Sequence, residues 1–357
     1  MNTQTTAYPD PQRFEKTIDG KKVSLFHLQN KNNTQVYLTN YGARIVSFIF
    51  SDSRNNPVDV NLGKTGIDEY TEPKGNYYGC VIGRVCNRIA GAEFDLNGKH
   101  YQLKQNIPNN LLHGGTDGFH TKVFDAETID DNTVAMSYYS KDGEEGFPGN
   151  VKVRVIYTLT DDDALEITFE AESDEATPFN ITNHAFFNLN GEGSGGMLGH
   201  TLQIFADRYL PVTENVVPNG SLEPVENTPF DFRTAKIIGE DINADNPQVV
   251  LGSGFDHTYV LKEQFDAQLL HAAQATGDRS GIVLDVYTDQ PGVHFYSGNF
   301  MDETHVLKSG DPDRWREAFC LETQHFPDAV HHEHFPSIIL KPQEKFVSKT
   351  VFKLSNK

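Results

Sequence analysis

Short apolar runs with alternating character recur along this chain, and a period of two is the pattern by which a strand sends one face into a core and the other to water. They occupy residues 23–28, 34–38, 45–50, 134–139, 151–159 and 165–171. Their boundaries hold Ile18-Asp19-Gly20-Lys21, Leu96-Asn97-Gly98-Lys99 and Thr160-Asp161-Asp162-Asp163, in which Asp, Asn and Gly tolerate positive φ. Antiparallel hairpins are the expected connections. Helical pattern is scarce. The best stretch by propensity, residues 264–275, runs into Gly277-Asp278-Arg279-Ser280-Gly281 and the strand-like Ile282-Val283-Leu284-Asp285-Val286-Tyr287, so its second half is expected as a hairpin strand. No internal repeat, charge block or Pro/Ser-rich linker divides the 357 residues. The expected fold class is all-β: one large twisted antiparallel β-sandwich with few short helices, a single domain over residues 1–357.

Charge narrows the partners. Fifty acidic residues against 30 basic ones give a formal charge of −20, which repels phosphate backbones and anionic lipid headgroups. Nucleic acid and membrane surface are therefore not expected as partners. The opening MNTQTTAYPDPQRF has neither the basic nor the apolar region of a signal peptide, and no stretch approaches the ~20 apolar residues of a membrane span, so a cytoplasmic protein is expected. Cys80, Cys86 and Cys320 lack paired spacing and read as reduced core thiols rather than a disulfide framework or a zinc ribbon. Sandwich edges can pair into oligomers, but no residue pattern here specifies such pairing.

Several segments break the alternation by placing polar groups beside glycines or aromatics. In Gly83-Arg84-Val85-Cys86-Asn87-Arg88-Ile89, Arg and Asn can donate fixed hydrogen bonds to sugar hydroxyls, although an Arg in such a place also serves as a structural ion pair. Leu112-His113-Gly114-Gly115 sets an imidazole beside glycines that permit close backbone approach to a ligand; an ordinary loop is the plainer reading. His184, within Asn180-Ile181-Thr182-Asn183-His184-Ala185-Phe186-Phe187-Asn188-Leu189, suits a proton donor or a satisfied core histidine. Asp256, in Gly254-Phe255-Asp256-His257, can accept from vicinal hydroxyls or sit in a turn. Glu322 interrupts the apolar run Phe319-Cys320-Leu321-Glu322-Thr323-Gln324, where half-burial would raise its pKa and improve it as a base; a strand-edge Glu is the alternative. The cluster His325, His331, His332 and His334 matches no zinc spacing, and no metal is expected there.

Taken in order, these segments resemble the galactose mutarotase, or aldose 1-epimerase, family. The resemblance runs over nearly the whole chain through Asn40-Tyr41-Gly42-Ala43-Arg44-Ile45, the Gly83 and Leu112 segments, Glu145-Gly146-Phe147-Pro148-Gly149, the Thr182-Asn183-His184 run, Gly254-Phe255-Asp256-His257, Gln290-Pro291-Gly292-Val293 and Cys320-Leu321-Glu322-Thr323-Gln324. It implies a large antiparallel β-supersandwich, galactose mutarotase-like, with the site in a groove on one face. It also implies a free aldose as partner, and neither cofactor nor metal. The family's general base falls on Glu322, its general acid on His184 and a second active-site histidine on His113. Substrate hydrogen bonds fall on Asn87, Arg88, Asp256 and Gln290. Phe186 stands where Tyr is common, Cys86 where a small residue is common and His294 where Gln is frequent, departures that bear on sugar preference rather than on reaction type.

The chemistry implied is modest in its demands. A pyranose changes anomer when the C1 hydroxyl loses a proton while the ring oxygen gains one, and rotation about C1–C2 then presents the other carbonyl face. A carboxylate and an imidazolium can each contribute about 10²–10⁴ in rate to such transfers. Three alternatives are a hexose-6-phosphate 1-epimerase, which would call for extra cations; a non-catalytic sugar-binding or sensor protein, which needs no acid and base together; and a β-sandwich glycosidase or lyase, which would cleave a glycosidic bond.

Overall fold

The computed structural model describes residues 8–72 and 77–357. Its tight turns follow from the turn residues. Asp19 and Gly20, at φ 52° and 77°, form the two-residue loop between the paired Ile18 and Lys21, and Asn97 and Gly98, at 52° and 75°, do the same between Leu96 and Lys99. Two successive left-handed residues give the turn whose twist matches that of the flanking strands. Two short α-helices, Ile67–Tyr70 and Pro247–Gly252, accompany the strands among the described residues. Among the described residues no helix is long and apolar enough to cross a membrane.

The largest sheet has nine strands. Asp125–Asp130, Thr133–Ser140, Val151–Leu159, Ala164–Ser173, Lys345–Asn356, Ile282–Thr288, Leu270–Thr276, Thr201–Ile204 and Lys236–Ile237 lie side by side in that order, all antiparallel. Alternation decides which face is covered: Val151, Val153, Val155, Tyr157 and Leu159 are buried, and the residues between them are half-buried or exposed. A second sheet of five strands runs Glu223–Pro224, Arg208–Tyr209, Asp256–Val260, Gly292–Tyr296, Cys320–Gln324. Its Tyr259, Val293, Phe295 and Leu321, with Phe255 just before the strand, share one apolar cluster with Val155, Ile167, Leu284 and Phe352 of the large sheet, so the two sheets close on a common core. Each such fully buried side chain stabilises the fold by roughly 1.5–3 kcal/mol. A four-stranded sheet, Leu25–Gln29, Gln35–Thr39, Arg44–Ser51 and Pro57–Asp59, adds Leu28, Val36, Leu38, Ile45 and Phe48 to that cluster. The architecture is the all-β antiparallel sandwich expected from the sequence.

Two local expectations meet the structure differently. The run 23–28 is broken at Ser24, whose amide donates to Asn40 Oδ1 at 2.9 Å, so the chain leaves Lys21–Val23 and re-enters strand at Leu25–Gln29. In the run 264–275 the strand Leu270–Thr276 pairs with Ile282–Thr288 as a hairpin, and the preceding residues form no helix.

Candidate active site

Because successive strand residues face opposite ways, the residues of the five-stranded sheet that alternate with its core positions face away from the common core. Register puts Asp256 beside Tyr296 beside Cys320, and Thr258 beside His294 beside Glu322, across three adjacent strands. Asp256, Tyr296, His294 and Glu322 of these rows form one wall of a cavity of about 530 Å³, within the range of small-molecule sites. Asp256 is clamped there: Oδ1 lies 2.7 Å from His294 Nε2 and Oδ2 accepts from Arg88 Nη2 at 3.2 Å.

The facing wall comes from loops whose backbones lock together. Asn87 and His113 both sit at positive φ, 60° and 52°; the His113 amide donates to the Asn87 carbonyl at 3.0 Å and the Asn87 amide donates to His113 Nδ1 at 3.2 Å. Asn87 Oδ1 in turn accepts from the Arg88 amide at 2.9 Å. Glycine is required at 114 because a Cβ there would lie 2.0 Å from the Gly83 carbonyl oxygen, at φ 79°. The close approach read from the Gly-Gly pair is thus first an approach of backbone to backbone. The Glu145 carboxylate braces the loop further, accepting from the Thr116 and Asp117 amides at 3.2 Å each. Arg84 takes the structural role: it is buried and donates to the carbonyls of Pro148, Gly149 and Lys141 and to Ser140 Oγ, at 2.7–3.0 Å.

His184 follows the short strand Thr182–Asn183, which pairs with Val81–Ile82. Its amide donates to the Cys80 carbonyl and its carbonyl accepts from the Gly79 amide, at 2.8 and 2.9 Å. The ring lies edge-on to that of His113, with centroids 5.2 Å apart. Its Nε2 stands 3.6 Å from Glu322 Oε1 and its Nδ1 3.5 Å from the Cys320 thiol.

Glu322, His184, His113, Asn87, Arg88 and Asp256 all line this one cavity; Gln290 does not. The side chain of Gln290 is turned into the protein, where Oε1 meets His325 Nδ1 at 2.8 Å and Nε2 donates to Asp289 at 3.2 Å. Gln290 lies in the crossover from Ile282–Thr288 of the large sheet to Gly292–Tyr296 of the five-stranded sheet, and its backbone amide donates to Thr288 Oγ1 at 3.1 Å. Of the three family departures, Phe186 and His294 line the cavity, whereas Cys86 lies beneath it with its thiol against Gln324 Oε1. His331 and His332 flank Asp328, whose carboxylate accepts the Ala90 amide at 2.9 Å. Sequence reasoning missed the rim, where Tyr77, Tyr296, Phe300, Asp302, His305 and Asp313 stand. Only Tyr296 had a signal, since it follows His294 by two on one strand face.

Burial dominates the electrostatics. It pushes the Glu322 carboxyl well above the usual range, aided by the Asp256 charge and opposed by Arg88. It pulls His184 down to about 3 and His113 well below its ordinary value. For Asp256 burial also acts upward, but Arg88 and the hydrogen bond with His294 outweigh it and hold this carboxyl ionised. His113, His184 and Glu322 place one donor atom each within 4.8 Å of one another, a spacing a metal ion can use. The Asn87 amide decides against that use: a neutral His113 whose Nδ1 accepts this bond carries its proton on Nε2, and has no lone pair to give without losing the bond. The same tautomer makes His113 a fixed donor into the cavity.

The aldose 1-epimerase family model matches residues 24–353. The galactose mutarotase of Rattus norvegicus is 42% identical over 340 residues, covering 94% of this chain and 95% of its own. The aldose 1-epimerase of Escherichia coli K12 is 35% identical over 336 residues, covering 94% and 96%. Among solved structures, an aldose epimerase homologue from C. elegans matches with a TM-score of 0.85 at 28% identity, covering 94% of this chain and 99% of that one. Galactose 1-epimerase from Lactobacillus acidophilus matches with 0.82 at 28% identity, covering 96% and 97%. A model spanning nearly the whole chain and relatives at this identity lead to one assignment: the chain belongs to the aldose 1-epimerase family, whose members are isomerases.

Proposed function

We propose that this protein interconverts the α and β anomers of a free aldohexose, galactose or glucose first, by opening and closing the pyranose ring. The observation that carries the reading is the buried pair Glu322 and His184, 3.6 Å apart, beside an ionised Asp256 held from both sides. Glu322 takes the C1 hydroxyl proton, His184 protonates the ring oxygen, His113 donates to that oxygen, and Asp256, Arg88 and Asn87 bind the remaining hydroxyls. Burial disfavours each charge of the catalytic pair alone, yet a carboxylate and an imidazolium this close support each other. They also hold the same number of protons as the neutral pair that burial favours. The resting enzyme therefore needs no proton from solvent to reach its working state.

Phosphorylated sugars fit less well, since the cavity lining carries Asp256, Asp302, Asp313 and Glu322 against the guanidinium of Arg88 among the described residues. The reading includes action as one domain over the chain and work in the cytoplasm, with the buried, unbridged Cys80, Cys86 and Cys320 suited to a reducing compartment. The test is polarimetry of fresh α-D-galactose and α-D-glucose with purified protein and its His184→Asn variant. Methyl α-D-galactoside and the hexose 6-phosphates serve as controls. Faster approach to the same final rotation, lost in the variant, is expected. Unchanged rates with demonstrable sugar binding would select a sensor, and cleavage of the glycoside would select a hydrolase.

A further inference from the structure

The side chain at 294 stands between the proposed base and the proposed hydroxyl acceptor. In the register of the five-stranded sheet it is flanked by Thr258 on one side and Glu322 on the other, and it is buried. Both ring nitrogens are occupied by the protein: Nε2 meets Asp256 Oδ1 at 2.7 Å and Nδ1 meets Thr258 Oγ1 at 2.9 Å. Since the Asp256 carboxylate only accepts, Nε2 must carry a proton, and in the neutral ring Nδ1 then accepts from the Thr258 hydroxyl. No nitrogen remains for a sugar, although the ring lines the cavity.

We propose that His294 is a positioning residue that sets sugar affinity and sugar preference through Asp256, without itself hydrogen-bonding the substrate. Its bond fixes Oδ1 while Arg88 fixes Oδ2, so the carboxylate plane cannot rotate and its remaining lone pairs point in set directions. A carboxylate held this way accepts well from a pair of hydroxyls of one relative geometry and poorly from another. That difference separates epimeric aldoses. The same bond helps keep Asp256 ionised, so removing it weakens the acceptor as well as loosening it. Thr258 completes the arrangement by holding the ring in plane from the far side.

The inference rests on the reading of Asp256 as a sugar-hydroxyl acceptor, and the experiment separates the two. Wild-type protein, His294→Leu, His294→Gln, Asp256→Asn and the double variant Asp256→Asn/His294→Leu are compared by polarimetry on galactose and glucose, with melting temperature as a control for folding. His294→Leu is expected to raise KM for the better sugar about tenfold or more, with kcat within about threefold, and to narrow the galactose-to-glucose ratio. His294→Gln, which can still donate to Asp256, should recover most of the loss. In the Asp256→Asn background the leucine substitution should have no further effect, because the two residues act as one unit. Additive effects in the double variant, or a fall in kcat with KM unchanged, would overturn the positioning role. A wild-type protein with no activity, or an Asp256→Asn variant with unchanged KM, would fail the functional reading instead. Should His294→Leu not fold, Thr258→Val removes the far anchor from outside the cavity lining. It should raise KM about two- to fivefold, and an unchanged KM would count against the proposal.

Discussion

Replacing Glu322 by Gln keeps the shape of the side chain and removes its ability to take a proton. The native residue is 1% exposed and its Oε2 has no hydrogen-bond partner; burial, then the Asp256 charge, pushes its pKa well upward. A carboxyl whose folded-state pKa lies above its unfolded value holds its proton more firmly when folded. The resulting stability is complete below the unfolded pKa of about 4.3 and is lost as pH rises toward the folded pKa. The variant has no such proton to lose. Its melting temperature should match that of the native protein near ~pH 4 and exceed it near ~pH 8. A tenfold difference in proton affinity between the folded and unfolded states is worth about 1.4 kcal/mol, so at roughly 2 °C per kcal/mol for a chain of this size a gain of about 3 °C or more is expected. Turnover should fall by ~10²–10⁴, equivalent to about 3–5 kcal/mol of transition-state stabilisation. Calorimetric or dichroism melts at the two pH values, with polarimetry on galactose, measure both. A variant that keeps kcat within about threefold, or whose melting difference is the same at both pH values, would refute the reasoning.

Other substitutions probe the supports of the site. Gly114→Ala sets a Cβ 2.0 Å from the Gly83 carbonyl at a positive φ, so a loss of roughly 2 kcal/mol or more is expected in denaturant melts, with kcat lowered through displacement of His113. Glu145→Gln leaves a single acceptor for two loop amides; hydrogen exchange at Thr116 and Asp117 should quicken and kcat should drop about two- to tenfold. Gln290→Ala, outside the cavity, should lower stability by about 1–3 kcal/mol through the loss of its bonds to His325 and Asp289, while KM and kcat stay within about twofold. A large rise in KM would return Gln290 to the substrate-binding set.

Much of the fold was legible because hairpins are local. Residues 151–159 read as a strand with the bounds the structure has, and Asp19-Gly20 and Asn97-Gly98 announced their turns. What alternation cannot tell is which distant strand lies alongside, as with Ala164–Ser173 against Lys345–Asn356. The site was harder. Nothing in the periodicity of residues 87–88, 113, 184, 256 and 322 brings them together; the resemblance named them as a set, and their meeting depends on three-strand register and on the Asn87–His113 backbone clamp. For Gln290 the motif fixes identity but not side-chain direction, which in this fold is toward His325 and Asp289. The rim around Phe300 to Asp313 stayed invisible because that stretch contains no strand and so has no period to read.

The strand Lys345–Asn356 lies in the middle of the nine-stranded sheet and joins Ala164–Ser173 on one side to Ile282–Thr288 on the other. During synthesis, then, four strands on each flank can assemble as separate hairpin sets while the seam between them stands open. Some 170 residues must be added after Ser173 before the joining strand begins, roughly 10–30 s at ordinary elongation rates. For that interval the Ala164–Ser173 edge stays unpaired, joined in the last part by the edge of Ile282–Thr288, and an exposed edge is an invitation to pair with a neighbour. Yield on expression should therefore depend more on ribosome pace and chaperone supply than on the melting temperature of the finished protein.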